Sequence, residues 1–429
     1  MSEPRKASAD FYFNGKSVTT DLKGYLKSVS YTDPASEDSD GLDITLQNIG
    51  MDWMGRKYPQ KGDRVSGSLL FRNWEREGVD EKLECGSFVL DNVSFSGGPL
   101  EVKMQCLSVP EDGSFKTREC TKVWKEVTVK GIAREIARKH GLAMRYSGPE
   151  ITIKSIEQSQ KTDSDFLVEI CDKYGLKLKV YNQSIVVYDQ TEMEKKKSIA
   201  TLGRELFIDD NWEYEDSLEG TYTGARISYK SADDSEEISV YIGLTAEDAQ
   251  GARVLKINET ADSVSDAYYK AAAQVNKSNE SATTISGEIW ANPRICAGAT
   301  VKVTGMGRAD GKYFVDKSTI ELSDSGTKQS LEMHKCQPRL AYAPRAAVPA
   351  PVSGGGSKDY KAGDIVQFNG GTHYLSSHAD AGGSPAKEGP AKITLTPDCA
   401  GNGGAHPWHL VHTDNTSNVY GWVDEGTFS

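Results

Sequence analysis

The chain lacks most of the features that announce a location or a chemistry outright. No apolar run in its 429 residues approaches the ~20 that a membrane-spanning helix needs. The first residues, MSEPRKASADFYFNGK, hold no apolar stretch of the kind that drives secretion. The seven cysteines (Cys85, Cys106, Cys120, Cys171, Cys296, Cys336 and Cys399) are odd in number, scattered and free of any CxxC spacing. A chain folded in cytoplasm with reduced thiols is therefore expected, not a disulfide scaffold or a zinc finger. GxSxG, HExxH and P-loop patterns are missing as well, so no common hydrolase or nucleotide signature stands out. Cationic excess is also missing: 50 Lys+Arg face 62 Asp+Glu, a formal charge of -12, which disfavours broad binding to a phosphate backbone.

Length gives room for roughly two to four domains. The clearest boundary is Gln337–Ser357, QPRLAYAPRAAVPAPVSGGGS, in which prolines give way to a Gly-Gly-Gly-Ser run. Such a segment cannot bury a core and predicts a tether. It separates a large body from a tail domain, 358–429.

Within the body, residues 1–105 predict β structure. Leu42, Ile44 and Leu46 alternate with polar residues, and 65–71 and 88–90 add strand-like runs broken by Gly and Asp. Helical spacing follows at Val129, Ile132, Ala133, Ile136 and Ala137, with Thr128 as N-cap and Gly141 as stop. A second helix, 163–174, carries a Thr162…Asp165 start and a Gly175 stop. ARKHGLAMRY (137–146) parallels CDKYGLKLKV (171–180), and 176–188 predicts a hairpin turning at Asn182-Gln183. Residues 201–336 return to strands, interrupted by a helix over 262–277, and end in a strand pair around Asp310-Gly311. The acidic run Glu37–Asp40 is expected in an exposed loop. The predicted class is mainly β with an α+β insertion: a first β-barrel (1–105), an α+β middle domain (106–200), a second β-barrel (201–336), the linker (337–357) and an SH3-like domain (358–429).

The order of these elements resembles the late control D family of phage tail hubs. The resemblance rests on Trp53…Pro59…Lys61-Gly62-Asp63, on Gly86-x-Phe88-x-Leu90-Asp91, on KYGLKLKVYNQSIVVYD (173–189), and on Gly298…Val301-x-Val303-x-Gly305-x-Gly307…Asp310-Gly311-x-Tyr313-x-Val315. It implies a structural baseplate hub of a contractile injection system, a virion or a tailocin, assembled in the host bacterial cytoplasm. In such a hub two tube-like barrels per chain let a homotrimer present six barrels to a hexameric tail tube, with a trimeric spike or needle below and other baseplate proteins around. The body is filled by the elements above, leaving no stretch for an inserted lysozyme. A secretion spike of the type VI kind predicts a β-prism after the hub, where this sequence has a linker.

The tail domain holds five of the seven histidines: His373, His378, His406, His409 and His412. Short strands are expected over 363–368, 391–395, 408–412 and 419–423. GDIVQFNGGTHYLSS and HPWHLVHTDNTSNVYGWVDEGTF resemble the bacterial SH3-type modules of cell-wall enzymes, which implies peptidoglycan as ligand. Aromatic faces would stack on sugars while His and Asp bond the peptide stem. The candidates are His373, Tyr374, Trp408, Tyr420 and Trp422. Tyr420 and Trp422, two apart, share one face of a strand, which is either a groove or the core of a small domain. Four Lys, no Arg and eight Asp+Glu give this domain a charge of -4, which disfavours anionic teichoic acid.

His406-x-x-His409 offers two of the ligands zinc needs, but no second motif completes a set, so no metal or cofactor is expected. Cys171 lies on the apolar face of its helix as a structural thiol, and no carboxylate pair stands out for glycoside hydrolysis. A catalytic residue is not assigned. The rival reading is a cell-wall hydrolase hub in which 106–200 or the tail domain cleaves peptidoglycan.

Overall fold

The structure, a computed structural model, describes residues 4–36, 39–108, 113–230, 237–340, 360–378, 381–397, 405–414 and 416–428. It divides into two compact units, residues 1–345 and 346–429. In the first unit the alternating apolar residues read from the sequence face inward. Leu42, Ile44 and Leu46 are fully buried together with Phe11, Val65, Leu69, Phe71, Phe88 and Val102. They form one core under the strands Lys6–Phe13, Leu26–Pro34, Gly41–Gln47, Arg64–Arg72, Glu81–Gly97 and Leu100–Leu107. A second core gathers Leu202, Ile285, Ile289, Val301, Val303, Tyr313, Val315, Leu331 and Met333.

The two strand groups are not separate sheets. They join edge to edge in one thirteen-stranded sheet. The seam is antiparallel, from Lys317↔Pro34 to Ser323↔Ser28. Among the described residues the pairing path stays open. Lys6–Phe13 pairs with Arg64–Arg72 at one end of the sheet, and Phe207–Asp216 pairs with Thr283–Trp290 at the other.

The two longer helices of the middle segment, Val129–Lys139 and Asp163–Lys173, begin and end as their sequences predict. Thr128 accepts a hydrogen bond from the Gly131 amide and Thr162 from the Asp165 amide, each contact stabilising a helix start by ~1 kcal/mol. Gly141 and Gly175 adopt φ of +65° and +69°, and Leu142 and Leu176 then bond back to Ala137 and Cys171 at 2.9 and 2.8 Å. The parallel read between ARKHGLAMRY and CDKYGLKLKV is thus one turn geometry used twice. Their strands meet in one sheet, where Ser184–Tyr188 pairs antiparallel with Lys177–Tyr181 and parallel with Ala143–Ser147. Cys171 is buried, as its helical face predicts.

Three features differ from the sequence reading. Residues 224–280, expected within the second β region, pack elsewhere. Gly224–Lys230, Glu237–Gly243, Val254–Ala261 and the helix Val264–Glu280 share a core with the middle segment, through Ala225, Ile227, Ala271, Ala272 and Val275. The reason is the apolar face of that long helix, which needs a partner surface. Second, Asp310-Gly311 is not a two-residue turn. The strands Thr300–Thr304 and Gly311–Ser323 do pair, but a short 3₁₀ turn, Gly307–Ala309, lies between them and Asp310 accepts from the Met306 amide. Third, of the acidic run 37–40, Glu37 and Asp38 lie outside the described residues, whereas Asp40 is fully buried.

Asp40 is buried because it belongs to a junction. Lys179 of the middle segment forms ion pairs with Asp33 and with Asp40, the latter at 2.9 Å. Tyr31 donates to Asp40 at 3.0 Å, and Asp33 accepts the Ala297 amide at 2.9 Å. One ammonium therefore ties the first strand group, the middle segment and the second strand group together. A second network lies at the end of the body. His334 meets Glu194 at 2.9 Å and Asp316 at 2.7 Å, while Arg339 pairs with both Glu194 and Glu280. Leu340 and Asn276 exchange two hydrogen bonds. The first residues of the expected tether, 337–340, are thus fastened to the body, and 341–357 lie outside the described residues.

Burial alone lowers the pKa of the His334 imidazole, but its bonds to Asp316 and Glu194 outweigh this and raise it to about 9. Burial likewise raises Glu194, and His334 and Arg339 outweigh it to hold the carboxyl at about 2. The histidine's contribution is complete below its unfolded value of about 6.5 and is lost as pH rises through 9; the glutamate's is complete above about 4.5 and lost as pH falls through 2. The contribution of this network to the thermal stability of the full chain is therefore expected to be complete between about pH 4.5 and 6.5 and to decline toward pH 9. His334→Gln should flatten the alkaline decline, and an unchanged slope would refute the assignment. Lys179→Met leaves two buried carboxylates unpaired and should cost ~3–5 kcal/mol in urea unfolding; a loss under about 1 kcal/mol would show that the junction is not the tie.

Candidate functional site

The second unit is a six-stranded antiparallel sheet. Its order is Ile365–Phe368, Gly389–Leu395, Trp408–His412, Tyr420–Val423, Gly371–Tyr374 and Gly383–Ala386. A small core of Val366, Phe368, Ala391, Ile393, Leu410, Val419 and Val423 lies on one side. Alternation along the last strand decides what the sequence left open. Val419, Gly421 and Val423 are buried, so Tyr420 and Trp422 point away from the core. Tyr420 is 66% exposed.

Register brings an aromatic row onto that outer face. Trp422 pairs with His409 on one neighbouring strand and with Tyr374 on the other, and directly opposed residues share a face. The His409 ring stands edge-on to Trp422 at 5.3 Å and to Tyr420 at 6.1 Å. Tyr374 stacks flat on His406, with centroids 3.4 Å apart and planes 9° from parallel. His406 in turn is held by Asp424 through Nδ1. Only glycine fits at 421, because a Cβ there would lie 2.5 Å from the Tyr374 carbonyl oxygen. Burial lowers the His409 pKa and favours its neutral form, and its Nδ1 lies 2.5 Å from the Thr394 hydroxyl.

The five sequence candidates therefore divide. Tyr374, Tyr420 and Trp422 are brought together on the outer face. His373 is next to them, but its Nδ1 accepts the Tyr420 amide at 3.1 Å and so braces the strand. Trp408 is placed elsewhere. Its ring packs edge-on against Phe428 at 5.5 Å and Tyr360 at 6.2 Å, with the core of the unit. His406, His409 and Asp424 were not among the candidates. The HxxH spacing marks both histidines as two of the ligands a zinc site needs. The structure turns them to different aromatic partners, and among the described residues no group of three or more His, Cys, Asp or Glu is placed to hold a metal. Cys399 lies outside the described residues.

One polar cluster in the first unit has the residue types of a hydrolase. Ser114 Oγ is 3.4 Å from His140 Nδ1, and His140 Nε2 is 2.7 Å from Asp163. The imidazole is 1% exposed and Phe115 stands edge-on to it. Asp163 is also bound by Lys139 at 2.6 Å and Gln158 at 2.9 Å. A nucleophile's base must be reached by substrate, and this ring is packed between helix ends.

No family model matches the chain. By sequence it is similar to the probable baseplate hub proteins of Escherichia phage 186 (25% identity over 170 residues, 39% of this chain and 41% of that protein) and Escherichia phage P2 (26% over 166 residues, 38% and 40%). The match spans about two fifths of the length of these curated relatives. By structure it is similar to the tail protein from Neisseria meningitidis MC58, with a TM-score of 0.55 and 12% identity over 77% of this chain and 96% of that one. The chain thus has a mainly β tail-protein fold.

The two faces of the second unit should respond differently to truncation. Tyr420→Ala is expected to change stability by no more than ~0.5 kcal/mol, as an exposed substitution, and Leu410→Ala to cost ~2–5 kcal/mol, as a buried one. Equal losses in denaturant titrations of the two variants would mean that the outer face is not free.

Proposed function

We propose that this chain is a structural baseplate hub. Three copies adapt a hexameric tail tube to a trimeric spike or needle, with other baseplate proteins as neighbours, in a virion or tailocin particle. The observation that carries the reading is the seam at Ser28–Pro34 and Lys317–Ser323. It joins two strand groups with separate cores into one sheet, the form a chain needs if each copy is to supply two adjacent ring modules. Similarity to proteins named as probable baseplate hubs supports it. The role is architectural and not catalytic.

The second unit is proposed to be an SH3-like module that binds peptidoglycan. Tyr374, Tyr420 and Trp422 supply the stacking surface, while His373 and His409 stand at its edges. The exposed Tyr420 ring beside the half-buried Trp422 and Tyr374 suits sugar rings, since aromatic area is gained at small entropic cost. The surrounding charge of -4 leaves uncharged glycan favoured over anionic polymers.

The full chain should co-sediment with purified Gram-positive cell walls, and the Tyr420→Ala/Trp422→Ala double variant should lose at least tenfold in affinity while keeping its far-UV dichroism. Failure of the intact chain to pellet would remove the wall-binding role and leave docking to a baseplate neighbour. Clearing of cell-wall zymograms by the chain would instead favour the hydrolase reading.

A further inference from the structure

Resting on the wall-binding reading above, we propose that the outer face of the second unit reads the acetamido group of an amino sugar. His409 accepts its N–H, Trp422 donates to its carbonyl, and the Tyr420 ring lies against its methyl. The polarity of two side chains carries this. Trp422 offers an indole N–H, a donor with no acceptor function. His409 is fixed the other way. The Thr394 hydroxyl donates its single proton to the His409 carbonyl oxygen at 3.1 Å, so toward Nδ1 the same hydroxyl oxygen accepts and the ring proton stays on Nδ1. Burial favours the neutral ring. Its Nε2 is then a lone pair that accepts and cannot donate.

Both atoms are unpaired and within reach of solvent. Neither His409 Nε2 nor Trp422 Nε1 has a hydrogen-bond partner among the described residues. Neither is shut in, as the unpaired His406 Nε2 and Trp408 Nε1 are. The two residues oppose each other across neighbouring strands, with ring centroids 5.3 Å apart and planes at 79°. Tyr420 flanks His409 at 6.1 Å and is 66% exposed. An acceptor, a donor and an open aromatic ring thus stand side by side.

Fixed polarity selects the ligand chemistry. A sugar hydroxyl both donates and accepts and turns to suit any neighbour, so it gains nothing from groups locked as one donor and one acceptor. A secondary amide is locked too, with an N–H that only donates and a carbonyl that only accepts. The acetamido group adds a methyl, which the aromatic face covers. A peptide stem also carries amides, but its terminal carboxylate meets a unit of charge -4, whereas the acetamido group is uncharged.

Calorimetric titration of the full chain tests this, with a tetramer of N-acetylglucosamine and with the glucose tetramer of the same linkage, which has a hydroxyl in place of each acetamido group. The acetamido tetramer should bind about tenfold tighter or more, because the glucose tetramer leaves the fixed pair without its amide. His409→Phe and Trp422→Phe each keep a ring but remove the acceptor or the donor. Each should abolish the preference, leaving the affinity for the glucose tetramer and the far-UV dichroism unchanged. If the wild-type chain pellets with cell walls but binds the two tetramers equally or neither of them, or if both variants keep the preference, or if a soluble stem peptide binds in their place, the acetamido assignment is wrong and the wall-binding reading survives. If the intact chain fails to pellet, both fall together.

Discussion

The architecture of the large unit depends on bringing together strands that lie almost a whole body apart in sequence. Thr32 and Thr319, paired across the seam, are separated by 287 positions. Closing a loop of that size costs conformational entropy that local contacts do not offset. Lys179 answers this constraint. Its ammonium sits between Asp33 and Asp40, and Asp33 also holds the Ala297 amide, so one buried cation binds the two strand groups and the segment between them. A buried charge set of this kind adds little net stability over an apolar plug, but it penalises misalignment, because a slipped strand would strand a carboxylate without its partner.

The second network, around Glu194, His334 and Arg339, performs a related task at the exit from the body. It holds the chain to the long helix Val264–Glu280 through 340, where the Pro- and Gly-rich stretch begins.

The outer face of the small unit shows how a small domain can spare aromatic residues from its core. Valines, Leu410, Ile393 and Phe368 fill the inside, while Trp408 closes one end against Phe428. Trp422, Tyr420 and Tyr374 are left for the outside, braced by His409 and by the Asp424–His406–Tyr374 stack. Rings held this way have little rotational freedom left to lose.

Much of this was legible in the residues themselves. Period-two and period-3.6 patterns located strands such as Gly41–Gln47 and Arg64–Arg72 and all three long helices, and the caps at Thr128 and Thr162 and the glycine stops at 141 and 175 set helix ends, because these signals act over a few residues of backbone. The same local rules put Tyr420 and Trp422 on one face. Tertiary structure alone decided which face that was, that Trp408 turns inward, that Asp40 is a buried anchor, that 224–280 joins the middle segment, and that the two strand groups share a sheet. Each of those outcomes depends on a partner distant in sequence, such as Lys179 for Asp40 or Tyr374 for Trp422. Hydrophobic pattern gives a residue's side but not the surface that will cover it.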